Sequence, residues 1–170
     1  MIIEESGVEF GDFNPNDFFH IEKSAYLVHT ENIKRCEFIW LNRNKNTLFF
    51  VEAKSSAPDP TKKEDFDIYI AKIVSKFSNS VQLFAFGALG KIQQLDDEIP
   101  DGIKSVDWAS VRCKLLLIIP TYCDEKAKWL PPLAEVIRKE MKVQRKLWDI
   151  PYSDIVVVNM KQARQYNLLR

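Results

Sequence analysis

A glutamate and a lysine close one of the most apolar segments of the chain, residues 48–56 with the sequence LFFVEAKSS. Side chains alternate between the two faces of a β-strand, so Phe50, Glu52 and Lys54 are predicted to share one face. A carboxylate and an ammonium group placed in this way can bind a divalent cation and orient a water molecule for hydrolysis. The alternative is an ordinary strand that becomes polar where it reaches solvent.

A second carboxylate on the preceding segment gives this motif a partner. Alternation places Glu37 on the same face of its strand as Ile39 and Leu41. A hairpin closed by Asn44 and Lys45 then sets the facing residues, which are Leu41 with Leu48, Ile39 with Phe50, and Glu37 with Glu52. The Cβ atoms of facing residues lie about 5 Å apart. A slip of one residue in this register would put the two carboxylates on opposite faces of the sheet.

Two facing carboxylates destabilise a sheet unless a positive charge neutralises them. Mg²⁺ or Mn²⁺ would do so, because these cations prefer carboxylate and carbonyl oxygens. Such a metal makes a bound water easier to deprotonate and stabilises charge on a phosphate, and Lys54 would orient that water. These groups are the parts needed for phosphodiester hydrolysis. A solvated strand end with a cross-strand ion pair is the other interpretation.

The spacing of acid and lysine is weak evidence by itself. An acid-x-lysine triplet occurs at residues 52–54, 124–126 and 140–142. The last falls in a predicted helix, where residues two apart point in different directions, and the second falls in a predicted loop. Only the first lies on a predicted strand whose neighbour carries another acid, and this context singles it out.

The elements that must position these residues are a strand meander followed by alternating helices and strands. The predicted strands comprise residues 24–30, 36–42, 47–54, 111–120 and 154–159. Apolar periodicity and capping predict helices at residues 65–89, 131–148 and 160–169. Residues 14–24 are predicted as a short helix or an extended segment, and residues 96–102 as a surface loop. The order α-β-β-β-α-β-α-β-α predicts an α/β (α+β) fold with a mixed central β-sheet flanked by helices.

The combination of these features resembles the PD-(D/E)XK nuclease superfamily, which has the restriction-endonuclease-like fold. The resemblance rests on Glu37, on the EAK tripeptide that begins fifteen residues later, and on the amphipathic helix and buried strand that follow. It extends over residues 14–159, whose order of elements fits the αβββαβ core of that family. It implies a single domain over residues 1–170, in which Glu37 and Glu52 bind Mg²⁺ or Mn²⁺ and Lys54 assists the attacking water.

Further site residues are implied by the same resemblance. The Ala53 carbonyl is expected as an additional metal ligand, and Glu22, in the predicted first helix, is expected to join the site. A polar residue of the helix after the EAK strand is expected to assist, with Lys76 and Gln82 as the two candidates. One departure from the family pattern is Glu37 itself, because aspartate is commoner at this position.

The overall charge argues against tight, autonomous binding to nucleic acid. The chain contains 24 basic and 24 acidic residues, so its formal net charge is zero. A helix over residues 131–148 would carry Arg138, Lys142 and Arg145 on one side, where they could contact phosphates. The same pattern is typical of the solvated face of an amphipathic helix. We therefore expect weak or transient contact with nucleic acid, with DNA as the expected substrate.

Cysteine usage and hydropathy bear on compartment and partners. The three cysteines cannot all pair, and Cys36 and Cys113 fall in predicted strands, so we expect buried free thiols, including Cys123, in a reducing, cytoplasmic environment. Charges interrupt every apolar run before it reaches membrane-spanning length, so no membrane partner is expected. The chain lacks an evident sequence-reading module, which is compatible with a homodimer or a larger assembly.

These observations favour a Mg²⁺-dependent nuclease or nuclease-like domain that hydrolyses phosphodiester bonds. Two alternatives stay open. One is a non-catalytic binding or scaffolding domain that retains the nuclease fold. The other is an enzyme that uses the same site on a different phosphate ester.

Overall fold

The computed structural model describes residues 1–30, 32–120 and 127–169. The β-strands in these residues are β1 (Ile3–Glu5), β2 (Val8–Phe10), β3 (Phe18–Phe19), β4 (Phe38–Asn42), β5 (Thr47–Ala53), β6 (Arg112–Ile118) and β7 (Ile155–Val158). Strands β1 and β2 form a separate hairpin, and the other five form one sheet in the order β3-β4-β5-β6-β7. The first three strands of this sheet pair antiparallel, whereas β5, β6 and β7 pair parallel. The predicted mixed sheet is confirmed.

Most of the helices cover one face of this sheet, whereas the hairpin and the last helix cover the other. The α-helices in the described residues are α1 (Ala25–Val28), α2 (Lys63–Ala88), α3 (Gln93–Glu98), α4 (Asp101–Lys104), α5 (Leu130–Glu140), α6 (Lys142–Leu147) and α7 (Met160–Ala163). On one face, Leu48 and Phe50 share a buried cluster with Phe77 of α2. On the other face, Phe49 shares a buried cluster with Phe10 of the β1–β2 hairpin. The alternation predicted for this strand is therefore present.

Strand β5 lies in the middle of the sheet and is buried along its whole length. Its register with β4 is the one predicted from the sequence, because Leu41 pairs with Leu48 and Ile39 with Phe50. Strand β6 pairs with its other edge and is itself largely buried, as predicted for the apolar run that contains it. Strand β4 thus holds β5 as far as Val51, and β6 holds it through Glu52 to Ala53.

The helix predicted at residues 65–89 is confirmed as α2. Its apolar repeat faces the core through Ile70, Ile73, Phe77, Val81 and Phe84. This orientation fixes the rotation of the helix about its axis, because the buried stripe must face the sheet. The residues beside the stripe are therefore fixed in position relative to the carboxyl end of β5.

The strand predicted at residues 24–30 is wrong, because most of this segment forms helix α1. Ser24 caps the helix by accepting a hydrogen bond, at 3.1 Å, from a main-chain N–H of the first turn. The Glu98 carboxylate accepts hydrogen bonds from the N–H groups of Ala25 and Tyr26, so a partner distant in sequence helps to hold this turn. The first strand of the meander is instead β3, which lies in the segment predicted as a short helix or extended.

Three other elements differ from their predictions. The helix predicted over residues 131–148 is divided at Met141, which leaves helical geometry and is completely buried. The segment 96–102, predicted as a surface loop, contains the end of α3 and the start of α4, with Ile99 buried between them. The predicted terminal helix is α7, which ends at Ala163 and is followed by one 3₁₀ turn.

Cys36 and Cys113 are buried and have free thiols, as predicted. Cys123 and the acid-x-lysine triplet at residues 124–126 lie outside the described residues. No helix in the parts of the chain that the structure describes is both long enough and apolar enough to cross a membrane.

Candidate metal centre

Glu37 lies just before β4 and Glu52 near the end of β5. The regular register of these strands ends where Phe38 pairs with Val51, and the Glu37 N–H donates to that same Val51 carbonyl at 3.0 Å, so the pairing is irregular at Glu37. Both side chains are buried, and Glu52 has no exposed surface. The two carboxylates predicted to face each other therefore lie close together and are buried rather than solvated, although Glu37 lies outside the regular register.

Lys54 reaches this pair from the residue just beyond β5. Its main-chain N–H donates to the Ile118 carbonyl at 2.9 Å, which continues the parallel ladder with β6. Its Nζ lies 2.6 Å from Glu52 Oε1 and 3.7 Å from Glu37 Oε1. About a third of the side chain is exposed, so the ammonium group lies between the buried acids and solvent.

Lys76 approaches the same carboxylates from helix α2. Its Nζ lies 2.8 Å and 3.0 Å from the two carboxylate oxygens of Glu52, and 3.6 Å from Glu37 Oε1. A third carboxylate oxygen, Glu22 Oε1, is 3.5 Å away. Burial opposes the charge of Lys76, but the negative charge of Glu52 and Glu37 raises its pKa well above the usual range. Lys76 is thus an internal cation held by three acids.

Of the two helix residues predicted to assist, only Lys76 lies in this centre. Gln82 is exposed and lines a separate surface pocket with Asn79 and Phe86. The sequence could not separate them, because both lie beside the apolar stripe of α2. They lie on opposite sides of that stripe, so the choice depends on which side of α2 faces the carboxyl end of β5.

Glu22 joins the centre, as the resemblance implied, but from a different element. It lies in a 3₁₀ turn, Ile21–Lys23, and its N–H donates to the Glu37 carbonyl at 3.2 Å. The guanidinium of Arg35 donates to the Glu22 carbonyl. These main-chain bonds hold its side chain at the rim of the centre, where it is partly exposed.

The three acids of the centre differ in pKa. Burial raises the pKa of Glu37 to about 8, and the hydrogen bond to Glu22 and the charge of Glu52 add to this effect. Burial opposes ionisation of Glu22, but its hydrogen bond with Glu37 and the Lys76 ammonium together lower its pKa. Burial raises the pKa of Glu52, although Lys76 and Lys54 act in the opposite direction. Near neutral pH, Glu37 is therefore the carboxyl that keeps a proton.

The Ala53 carbonyl, predicted as a metal ligand, already accepts one hydrogen bond. The donor is the Ser6 hydroxyl, 3.0 Å away in the turn of the β1–β2 hairpin. A carbonyl oxygen has two lone pairs, so this contact leaves room for one more partner.

Two residues that the sequence did not single out lie beside Glu22. His20 Nε2 is 3.2 Å from Glu5 Oε1, and a carboxylate oxygen of Glu22 completes a group of three potential ligand atoms. Burial lowers the pKa of His20, the Lys23 ammonium adds to this, and Glu5 opposes it. The spacing of these residues in the sequence does not indicate the group, because Glu5 approaches His20 only when the hairpin has folded.

The residues predicted to contact nucleic acid lie elsewhere on the surface. Arg138 donates to the carbonyl of Ile155 at the start of β7, two strands from β5. The guanidinium carbons of Arg138 and Arg145 lie 5.0 Å and 4.8 Å from the centre of the Tyr152 ring. Lys142 is exposed on α6. The structure thus brings the two arginines together on one aromatic ring and leaves the lysine in solvent.

Comparison with models of known families, with curated proteins and with solved structures finds no match for this chain. The resemblance to PD-(D/E)XK nucleases therefore stays a prediction that rests on the residues and on the order of elements.

Proposed function

We propose that this chain is a metal-dependent nuclease domain that hydrolyses phosphodiester bonds in nucleic acid, with DNA as the expected substrate. One observation carries the proposal: the carboxylates of Glu37 and Glu52 are buried close together, and Lys54 contacts both of them. Two carboxylates held this close present oxygen ligands to a single cation. This arrangement supports a site that receives a divalent cation.

The donor atoms suit Mg²⁺ or Mn²⁺. Both ions prefer oxygen ligands, and the carboxylates of Glu37 and Glu52 together with the Ala53 carbonyl would supply them. Glu22, at the rim, would supply a fourth oxygen ligand or accept a hydrogen bond from a water molecule bound to the metal. A ligand carboxylate must be ionised, so Glu37 would give up its proton when the cation binds.

Each side chain would have a separate role in hydrolysis. When bound, the cation lowers the pKa of a water ligand and stabilises negative charge on the phosphate. Lys54 lies between the acids and solvent, where it would orient the attacking water and contact a phosphate oxygen. Glu52, which is held by two ammonium groups, keeps the lysines in place.

A cleavage assay tests this proposal. We expect the wild-type chain to cleave single- or double-stranded DNA in Mg²⁺ or Mn²⁺ and to stop when the metal is chelated. Lys54→Met should lose cleavage but retain metal binding, whereas Glu52→Gln should lose both. Glu140→Gln and Lys72→Met are matched controls, because each changes an exposed residue of the same type. Cleavage that survives Glu52→Gln would contradict the proposal.

The position of Lys76 favours a second candidate, a non-catalytic binding or scaffolding domain. Its ammonium group already lies within 3.6 Å of oxygens from three acids, where it neutralises part of their charge. In this alternative the lysine takes the place of a metal permanently, and the carboxylates serve only to hold α2 against β5.

Metal binding to Lys76→Met separates the two candidates. If the site is a nuclease centre, the wild-type chain binds Mg²⁺ and the ammonium group moves aside. If the lysine is a permanent substitute, the wild-type chain does not bind Mg²⁺ and Lys76→Met does. Lys72→Met, one helical turn earlier on the exposed side of α2, is the control for the loss of a lysine from this helix.

A further inference from the structure

We infer that Glu5, His20 and Glu22 form a second cation site, distinct from the Glu37–Glu52 pair and suited to a transition metal such as Zn²⁺. Each residue offers one ligand atom, and these atoms all lie within 4.8 Å of one another. Bonds of about 2.0–2.2 Å from zinc to nitrogen and oxygen ligands would draw them together by small side-chain rotations.

Two buried polar atoms at this position make ion-pair contacts but no aligned hydrogen bond among the described residues. Glu5 Oε1 and His20 Nε2 are both inaccessible to solvent, and neither makes a hydrogen bond within the part of the chain that the structure describes. They face each other at 3.2 Å without the alignment of a hydrogen bond. A carboxylate oxygen and an imidazole nitrogen held in this way can each donate a lone pair to a cation.

The main chain holds the three ligands in place before any cation binds. Glu5 ends β1, and the adjacent Ser6 fastens the hairpin to the Ala53 carbonyl at 3.0 Å. His20 follows β3 directly, and its ring lies edge-on to Phe18 with the ring centres 6.0 Å apart. The Glu22 main-chain N–H donates to the carbonyl of Glu37, the residue just before β4. Such preorganisation lowers the entropic cost of binding.

The ligand types select the class of metal. An imidazole nitrogen with two carboxylate oxygens suits Zn²⁺ and other first-row transition metals, whereas Mg²⁺ prefers oxygen ligands alone. The nearest competing charge is the Lys23 ammonium, 3.1 Å from Glu5 Oε1. That side chain is 65% exposed, so it can move into solvent when a cation binds.

Glu22 connects this site with the proposed nuclease centre. Its Oε1 is 3.5 Å from Lys76 Nζ, and it also belongs to the group with Glu5 and His20. Occupation of the second site would therefore withdraw one carboxylate from Lys76. The inference does not depend on the proposed function, because Glu5 and His20 take no part in the nuclease centre.

Zinc titration of the metal-free chain, followed by thermal unfolding and by NMR of the imidazole groups, tests the inference. We expect Zn²⁺ to raise the melting temperature and to shift the His20 ring signals. Loss of a ligand in His20→Ala or Glu5→Gln should weaken zinc binding at least roughly 100-fold, since loss of an outer hydrogen-bond partner alone costs roughly 10–100-fold. The chain has two histidines, and the exposed His29 supplies the matched control, since His29→Ala should bind Zn²⁺ as the wild type does.

The outcomes separate this site from the nuclease centre. Zinc binding that persists in Glu52→Gln but is lost in His20→Ala supports the inference even if no cleavage is found. No stabilisation of the wild-type chain by Zn²⁺ would overturn it. Equal loss of binding in His20→Ala and His29→Ala, or loss in Glu52→Gln alone, would also overturn it.

Discussion

Among the side chains of the centre, Glu37 has the charge that depends most on pH in the physiological range. Its pKa is raised from an ordinary value of 4.5 to about 8, mainly by burial. Between these two values the folded chain holds a proton that the unfolded chain has released. The protonated carboxyl therefore contributes stability that is fully present below pH 4.5 and is lost as the pH rises through about 8.

The variant Glu37→Gln should show this dependence directly. Glutamine cannot ionise, and its amide can donate to Glu22 as the protonated carboxyl does. Relative to the wild type, the free energy of unfolding of the variant should rise between pH 4.5 and about 8. The slope should be at most about 1.4 kcal/mol per pH unit, since one proton is involved. Urea unfolding across this range measures it. Parallel curves for the two proteins would contradict the assignment, and Glu140→Gln is the control.

Removal of the Lys76 ammonium should destabilise the metal-free chain. The variant Lys76→Met leaves Glu52 buried with only one cation, and breaking a buried ion pair in this way costs about 3–5 kcal/mol. Denaturant unfolding in the presence of a chelator measures the loss. Lys72→Met, on the exposed side of the same helix, should change the free energy of unfolding by no more than about 0.5 kcal/mol. Equal effects of the two substitutions would mean that Lys76 does not compensate buried charge.

The positions of some of these residues could be predicted from the sequence, and those of others could not. Glu37 and Glu52 could be paired because strand alternation and one hairpin determine which residues face each other. The choice of Lys76 over Gln82 could not be predicted, because it depends on which side of α2 faces the carboxyl end of β5. The place of Glu5 could not be predicted either, since it depends on where the β1–β2 hairpin packs against the sheet.

Helix α1 is the element where local sequence and tertiary structure disagree most. The segment AYLV is apolar enough to predict a strand, yet Ser24 and the distant Glu98 together supply acceptors for its first N–H groups. Three or four residues cannot form a stable helix by themselves. The helix therefore exists because of a contact with α3 that no short-range pattern reveals. By contrast, α2 is long and periodic, and its predicted bounds differ from the observed ones by only one or two residues.

The substitution Ser24→Ala should destabilise α1 by removing its cap. The expected cost is about 1 kcal/mol, since the hydroxyl accepts a hydrogen bond from a buried main-chain N–H. Thermal unfolding compares the variant with Ser105→Ala, which removes an exposed hydroxyl from the end of α4. If the two variants unfold alike, the serine does not act as a cap, and the first turn depends on Glu98 alone.

At the scale of the whole molecule, the predicted nucleic-acid surface lies apart from the candidate centre. The net charge is zero, and Arg138 and Arg145 lie against Tyr152 rather than in open solvent. Lys142 is the member of the predicted nucleic-acid surface that is freely exposed. This arrangement agrees with a chain that contacts nucleic acid weakly.

Binding to DNA should therefore be weak and sensitive to salt. If Lys142 contacts a phosphate, Lys142→Ala should reduce the slope of log affinity against log salt concentration by about 1. Fluorescence anisotropy with a labelled duplex, at several salt concentrations, measures this slope. Lys72→Ala serves as the control on another exposed helical position. An unchanged slope in Lys142→Ala would remove this lysine from the interface.

The central claim is that Glu37 and Glu52 together bind a divalent cation. Calorimetric titration of the metal-free chain with Mg²⁺, in two buffers of different ionisation enthalpy, tests it most directly. We predict binding that releases a proton from Glu37 at pH 7, tightens as the pH rises through about 8, and disappears in Glu52→Gln but not in Glu140→Gln. Absence of Mg²⁺ binding by the wild type, or equal binding by Glu52→Gln, would contradict it.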